Sequence, residues 1–296
     1  MTDAPAATGA PLIDGLRRLV DRYDVALCDV WGVVHDGRRS FPAASDALTQ
    51  FRAGGGTVVL ITNAPRPNGP IREQLGHLLV PREAYDAVVT SGDVTIELIR
   101  ARGRAPLHHI GPARDLSLFE TLAGEAPPRT SLSEAAYVLC TGLFDDTRET
   151  PADYDETLAT MLARKTPMIC ANPDLVIHRG QDLIYCAGAL AERYVERGGE
   201  AIYAGKPYGP IYKQALARAG DARKAAIDNR RVVAIGDAMR TDVAGALSQG
   251  LDALFVASGI HRDEIGGASA IDAAAFEQFA ARHGLRPTAI IEELVW

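Results

Sequence analysis

The chain has 296 residues, enough for one large domain or two linked ones. Hydrophobic residues make up 47% and charged residues 23%, a globular balance that excludes a disordered tail, a collagen-like repeat and a coiled coil. Lys plus Arg is 31 against 38 for Asp plus Glu, a formal net charge of −7, so there is no global electrostatic attraction to nucleic acid or anionic lipid; no apolar run approaches the ~18 residues of a membrane span either.

Met1 to Pro11 is rich in Ala, Pro and Gly without the basic-then-apolar order of a signal peptide, and residues 1–19 are expected to be a loose leader. Near-continuous apolar runs follow at Val25 to Val34 and Thr57 to Asn63, with a helical stretch at Ala43 to Ala53 between them. Such runs suit parallel strands buried on both faces. Further strands are expected at 87–91, 107–111, 136–141, 167–171, 232–236 and 253–257. Helical periodicity covers 71–79, 153–164, 189–197 and 211–219. This alternation predicts an α/β fold with a doubly wound parallel sheet. Residues 20–91 plus 188–296 are expected to form the core, and 92–187 an inserted smaller α/β domain. Cys28, Cys140, Cys170 and Cys186 show no C-x-x-C spacing and read as buried free thiols in a reducing, cytoplasmic setting. Homo-oligomerisation stays open.

In an open α/β sheet, chemistry collects at the carboxyl ends of the strands, and four strand ends carry polar signals. The first is Val25-Ala26-Leu27-Cys28-Asp29-Val30-Trp31-Gly32, where Asp29 either caps a turn or faces a ligand. The second, Val58 to Asn63, ends in Thr62 and Asn63, which is also ordinary turn chemistry. The third is Ala204-Gly205-Lys206-Pro207. It is not a P-loop, because the upstream Gly199 is one residue too far and Pro207 stands where Ser or Thr must bind a metal. Only four of the basic residues are lysines, so Lys206 reads either as a phosphate-facing cation or as a solvated surface group. The fourth, Gly236-Asp237-Ala238-Met239-Arg240-Thr241-Asp242-Val243-Ala244-Gly245-Ala246, sets Asp237 at a strand end and Asp242 in the first helical turn, with Thr241 as expected N-cap. Two acids so placed form a hard, oxygen-rich corner suited to Mg2+, unless Asp242 merely complements the helix dipole.

The order Asp29, Thr62, Lys206, Asp237 with Asp242, in these local contexts, resembles the haloacid dehalogenase superfamily of phosphohydrolases. The long insertion before Gly205-Lys206-Pro207 is similar to its class IIA branch, which carries an α/β cap. The resemblance implies that Asp29 is a nucleophile forming an aspartyl-phosphate, and that Mg2+ is held by Asp29, the backbone carbonyl of Trp31, Asp237 and Asp242. Thr62, N–H groups near Asn63, and Lys206 bind the phosphoryl oxygens. The implied partner is a small-molecule phosphate.

One departure stands out. The family's first motif usually places a second Asp, the general acid/base, where this chain has Trp31. Its loss costs ~10²–10⁴ in rate and bears hardest on alkyl esters; His35 or Asp36 is the candidate replacement. In the insertion, Asn172-Pro173-Asp174 with His178-Arg179-Gly180 resembles the cap segment that faces the site, so Asn172, Asp174 and His178 are expected to read the substrate. His108 and His109 are adjacent on a strand and point to opposite faces, which argues against a joint metal site. The competing functions are a low-turnover Mg2+/phosphate-binding regulatory protein, favoured by Trp31, and a metal-independent dehalogenase-like hydrolase, disfavoured by Asp237 and Asp242.

Overall fold

The computed structural model describes residues 9–179, 182–266 and 271–296. Its strands are β1 (Leu12–Ile13), β2 (Val25–Asp29), β3 (Thr57–Thr62), β4 (Ala87–Thr90), β5 (Leu107–Ile110), β6 (Tyr137–Cys140), β7 (Met168–Cys170), β8 (Val176–Arg179), β9 (Asp182–Tyr185), β10 (Ala201–Tyr203), β11 (Val232–Gly236), β12 (Asp252–Val256) and β13 (Ala289–Ile291). The helices are α1 (Pro42–Ala53), α2 (Asn68–His77), α3 (Ser91–Arg100), α4 (Ser117–Leu122), α5 (Asp155–Arg164), α6 (Ala187–Glu196), α7 (Gly209–Arg223), α8 (Ala244–Ser248) and α9 (Ala273–His283).

The apolar runs become strands buried on both faces. In β2, Ala26 and Cys28 enter one core layer while Val25 and Leu27 enter the other. The same alternation sets Val58 and Leu60 against Val59 and Ile61 in β3, and Val233 and Ile235 against Val232 and Ala234 in β11. Successive side chains of a strand point to opposite faces, so only a sheet covered on both sides accepts an apolar residue at every position. Leu48 and Phe51 of α1 and Leu75 of α2 cover the first layer. Ile211 and Ala215 of α7 and Phe276 and Phe279 of α9 cover the second.

This large sheet has the order β1-β13-β12-β11-β2-β3-β4, every pair parallel. From β2 the chain steps outward through β3 to β4; on its return it steps the other way, from β11 through β12 to β13. Strand order therefore reverses between β2 and β11, and the crevice at their carboxyl ends is where such sheets bind ligands. A second parallel sheet, β10-β7-β6-β5, is also covered on both faces. Val138 and Cys140 of β6 pack with Leu158 of α5 and Leu190 of α6, whereas Tyr137 and Leu139 pack with Ile99 of α3 and Leu118 of α4. The fold is thus a Rossmann-like doubly wound parallel sheet with a smaller inserted α/β unit. Among the described residues, no helix is long and apolar enough to cross a membrane.

Several sequence expectations need correction. The expected leader lies partly outside the described residues (1–8), but Leu12–Ile13 pairs with β13, and Leu16 and Leu19 are buried in the core. A two-residue edge strand is too short to show a hydrophobic period. The chain does not return to the large sheet at residue 188, because Ala201–Tyr203 pairs with Met168–Cys170 and keeps the second sheet running to Tyr203. The run at Val25 to Val34 breaks at Asp29, after which Gly32 takes a left-handed turn with φ of 84°. Val176–Arg179 and Asp182–Tyr185 pair antiparallel as β8 and β9.

Candidate active site

Asp29 ends β2, Thr62 ends β3 with Asn63 next, and Asp237 follows β11. The parallel register therefore delivers these side chains to one rim of the sheet, at the point where strand order reverses. Lys206 arrives from the loop after β10. Its Nζ lies 2.7 Å from Asp29 Oδ1 and 2.6 Å from Asp242 Oδ1, all three side chains being buried. Asn63 secures this loop from the neighbouring strand end: its Oδ1 accepts from Lys206 N at 2.7 Å, and its Nδ2 donates to Lys206 O at 3.2 Å. Nδ2 also donates to Asp174 Oδ1 of the inserted unit at 2.9 Å, so one amide joins both sheets.

Backbone N–H groups aim the carboxylates. Val30 N donates to Asp29 Oδ1 at 2.7 Å, Ile260 N to Asp237 Oδ2 at 2.8 Å and Ala238 N to Asp242 Oδ2 at 3.1 Å. Asp242 sits in a π-helical turn, Met239–Val243, that leads into α8; such turns recur at functional sites. Thr241 lies inside that turn and is not its N-cap. The cap position belongs to Ala238. A Cβ on Gly32 would stand 2.2 Å from Asp237 Oδ2, so the close approach of that carboxylate, as well as the positive φ, requires glycine there.

Burial, and after it the charge of Asp242, hold the Asp29 carboxyl well above the usual range, while Lys206 pulls the other way. Asp237 is pushed up to about 7, first by burial and then by Asp242. Burial opposes the Lys206 ammonium, but Asp242, Asp29 and Asp174 outweigh it and raise its pKa. Asp174 is pushed up to about 6 by burial. One ammonium cannot neutralise Asp29, Asp237 and Asp242, whose ligand oxygens lie within 4.8 Å of one another. Hard oxygen donors with uncompensated charge fit a cation such as Mg2+.

A cavity of about 180 Å³ opens over these groups, with Trp31, Thr62, Asp174 and His178 in its walls. The Trp31 ring stands edge-on to His35, and its Nε1 donates to the His178 carbonyl at 2.5 Å. The exposed His178 thus holds Trp31 through its backbone, while Gly180 is outside the described residues. Asn172 is buried, accepts from Asp174 N at 3.1 Å and lines an adjoining cavity. His35 is a correction. It is buried, lines neither cavity, and accepts from Gly37 N through Nδ1 at 3.0 Å; burial depresses its pKa to about 4. A neutral imidazole turned into its own loop is not placed to donate a proton. Asp36 does line the cavity, but the Arg38 and Arg39 N–H groups occupy its Oδ1. His108 and His109 hold separate partners, Thr130 O and Thr141 Oγ1, each at 3.0 Å. All four cysteines are buried and free.

Sequence reasoning takes Thr241 only as a cap and misses the Ser258-Gly259-Ile260 turn; both line the cavity. The latter follows β12, so the strand-end rule that marked Asp29 and Thr62 could have found it.

Residues 26–123 match the family model described as haloacid dehalogenase-like hydrolase, and residues 203–291 one described as HAD-hydrolase-like. A haloacid dehalogenase-like hydrolase of Brucella suis 1330 superposes with a TM-score of 0.85 at 44% identity, covering 96% of this chain and all of that one. Dihydroxyacetone phosphatase of Corynebacterium glutamicum (strain R) is 24% identical over 80% of this chain and 82% of its own length. Ribonucleotide monophosphatase NagD of Escherichia coli (strain K12) is 24% identical over 79% and 87% respectively. The chain belongs to the haloacid dehalogenase-like hydrolases.

Proposed function

We propose that the protein is a Mg2+-dependent phosphohydrolase of a small organic phosphate, with Asp29 as the nucleophile. The observation that carries this reading is Lys206 Nζ bridging Asp29 and Asp242 in a buried pocket beside Asp237. Asp29, the Trp31 carbonyl, Asp237 and Asp242 are the residues that would hold Mg2+, which would supply positive charge against the phosphoryl oxygens. Asp29 attacks phosphorus as the ester oxygen leaves, giving an aspartyl-phosphate; water then attacks that phosphorus and releases phosphate. Thr62, the N–H groups next to Asn63 and Lys206 bind the phosphoryl oxygens and offset the charge that builds during transfer. Its phosphatase relatives support the reaction class.

Trp31 sets the limit on substrates. It cannot protonate a departing alkoxide, and His35 is neutral and turned away, so alkyl esters react more slowly than acyl or aryl phosphates by ~10²–10⁴. A low-turnover binding protein is the second reading, and Trp31 is the residue that favours it. A dehalogenase without metal fits less well, since three buried carboxylates around one lysine need a further cation. Phosphate release from acetyl phosphate, an aryl phosphate and several sugar phosphates, with Mg2+ and then EDTA, tests the reading. Mg2+-dependent turnover that is fastest on acetyl and aryl phosphates is expected. Equal rates in EDTA, or no turnover of any compound by folded protein, overturn it.

A further inference from the structure

Behind Trp31 and Thr62 the site continues into a second cavity of about 310 Å³ between the two sheets, and this one is lined by guanidinium groups. Arg66 comes from the loop after β3, Arg114 from the turn before α4, and Arg179 from the end of β8. Arg114 and Arg179 both bind a single carboxylate oxygen, Asp146 Oδ2, the latter at 3.0 Å. Arg66 is held otherwise. Its Nη2 donates to the neutral amide oxygen of Gln74 at 2.6 Å, and among the described residues no ion pair holds it. Burial depresses its pKa, partly offset by Asp115, while Arg114 and Arg179 add to the depression. The Arg66 loop is tightly set: Gly92 N donates to Ala64 O at 3.1 Å, and a Cβ on Gly92 would stand 2.4 Å from the Arg66 carbonyl carbon.

Among the described residues, none of the cavity's acids, Asp115, Asp146 and Asp174, lies within ion-pair distance of Arg66. Asp146 is shared by two guanidiniums. Asp115 is buried and pushed up to about 6, burial outweighing Arg114, the Thr141 hydroxyl and Arg66. Asp174, on the wall common to both cavities, is turned to Asn63 and feels Lys206. The cavity therefore keeps a partly desolvated guanidinium, Arg66, which makes no ion pair among the described residues and feels Asp115 only at longer range. Isolated buried charge is costly, and a planar fork of N–H donors is the geometry that binds an oxyanion in two places.

Resting on the phosphatase reading, we propose that this cavity is a second-anion subsite. The substrate is a phosphate ester whose organic part carries another anionic group, a carboxylate or a second phosphate, received by Arg66 with Arg114 and Arg179. Trp31, common to both cavities, is the wall along which the organic part runs.

The test compares substrate pairs that differ in that group. 3-Phosphoglycerate against glycerol 3-phosphate reads a carboxylate, and fructose 1,6-bisphosphate against fructose 1-phosphate reads a phosphate. Wild-type kcat/KM is expected to favour the anionic member of at least one pair by ~10–100-fold, the scale of a hydrogen bond to a charged group. The responding pair identifies the source of the anion. Arg66→Gln, which disrupts no ion pair, is expected to lower that ratio at least tenfold, mainly through KM, and Arg179→Gln to lower it less. Ratios near one in the wild type, or ratios within twofold of wild type in Arg66→Gln, overturn the subsite. If no phosphate ester turns over, the phosphatase reading fails instead, and calorimetric affinities of the same pairs for wild type and Arg66→Gln decide the subsite on the same ratios.

Discussion

The two cavities that meet at Trp31 are built in different ways. In the first, Asp29, Thr62 and Asp237 stand at or just beyond strand ends, and Val30, Ala238 and Ile260 N–H groups fix the carboxylates. In the second, the arginines reach in from the loop after β3, a short turn and the end of β8, and Arg114 remains 48% exposed at its side chain. Groups aimed by a sheet edge keep one geometry at little entropic cost. Long side chains on connecting segments can be exchanged without disturbing the core. The inference is that chemistry resides in the rigid rim and specificity in the long side chains facing it.

The strongest way to break this contrast is to remove a charge from the rim. Lys206→Met leaves Asp29 and Asp242 buried without their cation. A loss of ~10²–10³ in kcat is expected, together with ~3–5 kcal/mol of stability, the usual cost of breaking a buried ion pair. Steady-state kinetics and urea unfolding measure the two effects. A variant of wild-type activity would remove Lys206 from the phosphate pocket.

Trp31→Asp sharpens the contrast at the boundary between the cavities. It supplies a carboxyl where a general acid is missing, at the cost of the hydrogen bond to His178 O. The ratio of alkyl-ester to aryl-ester kcat/KM is expected to rise by ~10²-fold. An unchanged ratio would show that leaving-group protonation is handled by another group.

A smaller effect follows from the carboxylates. Asp237 has a folded pKa of about 7 against an ordinary value of 3.8. Between these values the folded state holds more protons than the unfolded one, so this group's contribution to stability falls as pH rises from about 4 through 7. Binding of Mg2+ needs the ionised form and offsets that loss. Mg2+ is therefore expected to raise Tm by a few degrees at pH 8 and far less at pH 5.5, with EDTA reversing the gain. Equal shifts at both pH values would contradict a metal held by these acids.

How much of this was legible in the sequence follows the same division. Buried parallel strands write themselves as continuous apolar runs, so β2, β3 and β11, and the polar residues ending them, could be read directly. Asp29, Thr62, Asn63, Asp237 and Asp242 stand out as candidates for that reason, and Lys206 because lysine is rare in this chain. Elements with weak periodicity were not legible: the two-residue β1, the β8–β9 pair and the short β10, whose pairing moves the second sheet past residue 188. The arginine cavity was invisible for a further reason. Arg66, Arg114 and Arg179 are far apart in sequence, lie among many other arginines, and converge only through the packing of one sheet against the other. His35 shows the opposite error, since closeness in sequence to Asp29 did not bring its ring to the cavity.

The central claim is that Asp29 carries the phosphoryl group, and trapping it is the most direct measurement. Protein turning over acetyl phosphate with Mg2+ is quenched, reduced with borohydride and analysed by peptide mass spectrometry. Conversion of Asp29 to the homoserine expected from an aspartyl-phosphate, lost in Asp29→Asn along with turnover, is the predicted result. Sustained turnover with Asp29 unmodified, or undiminished in Asp29→Asn, would contradict it.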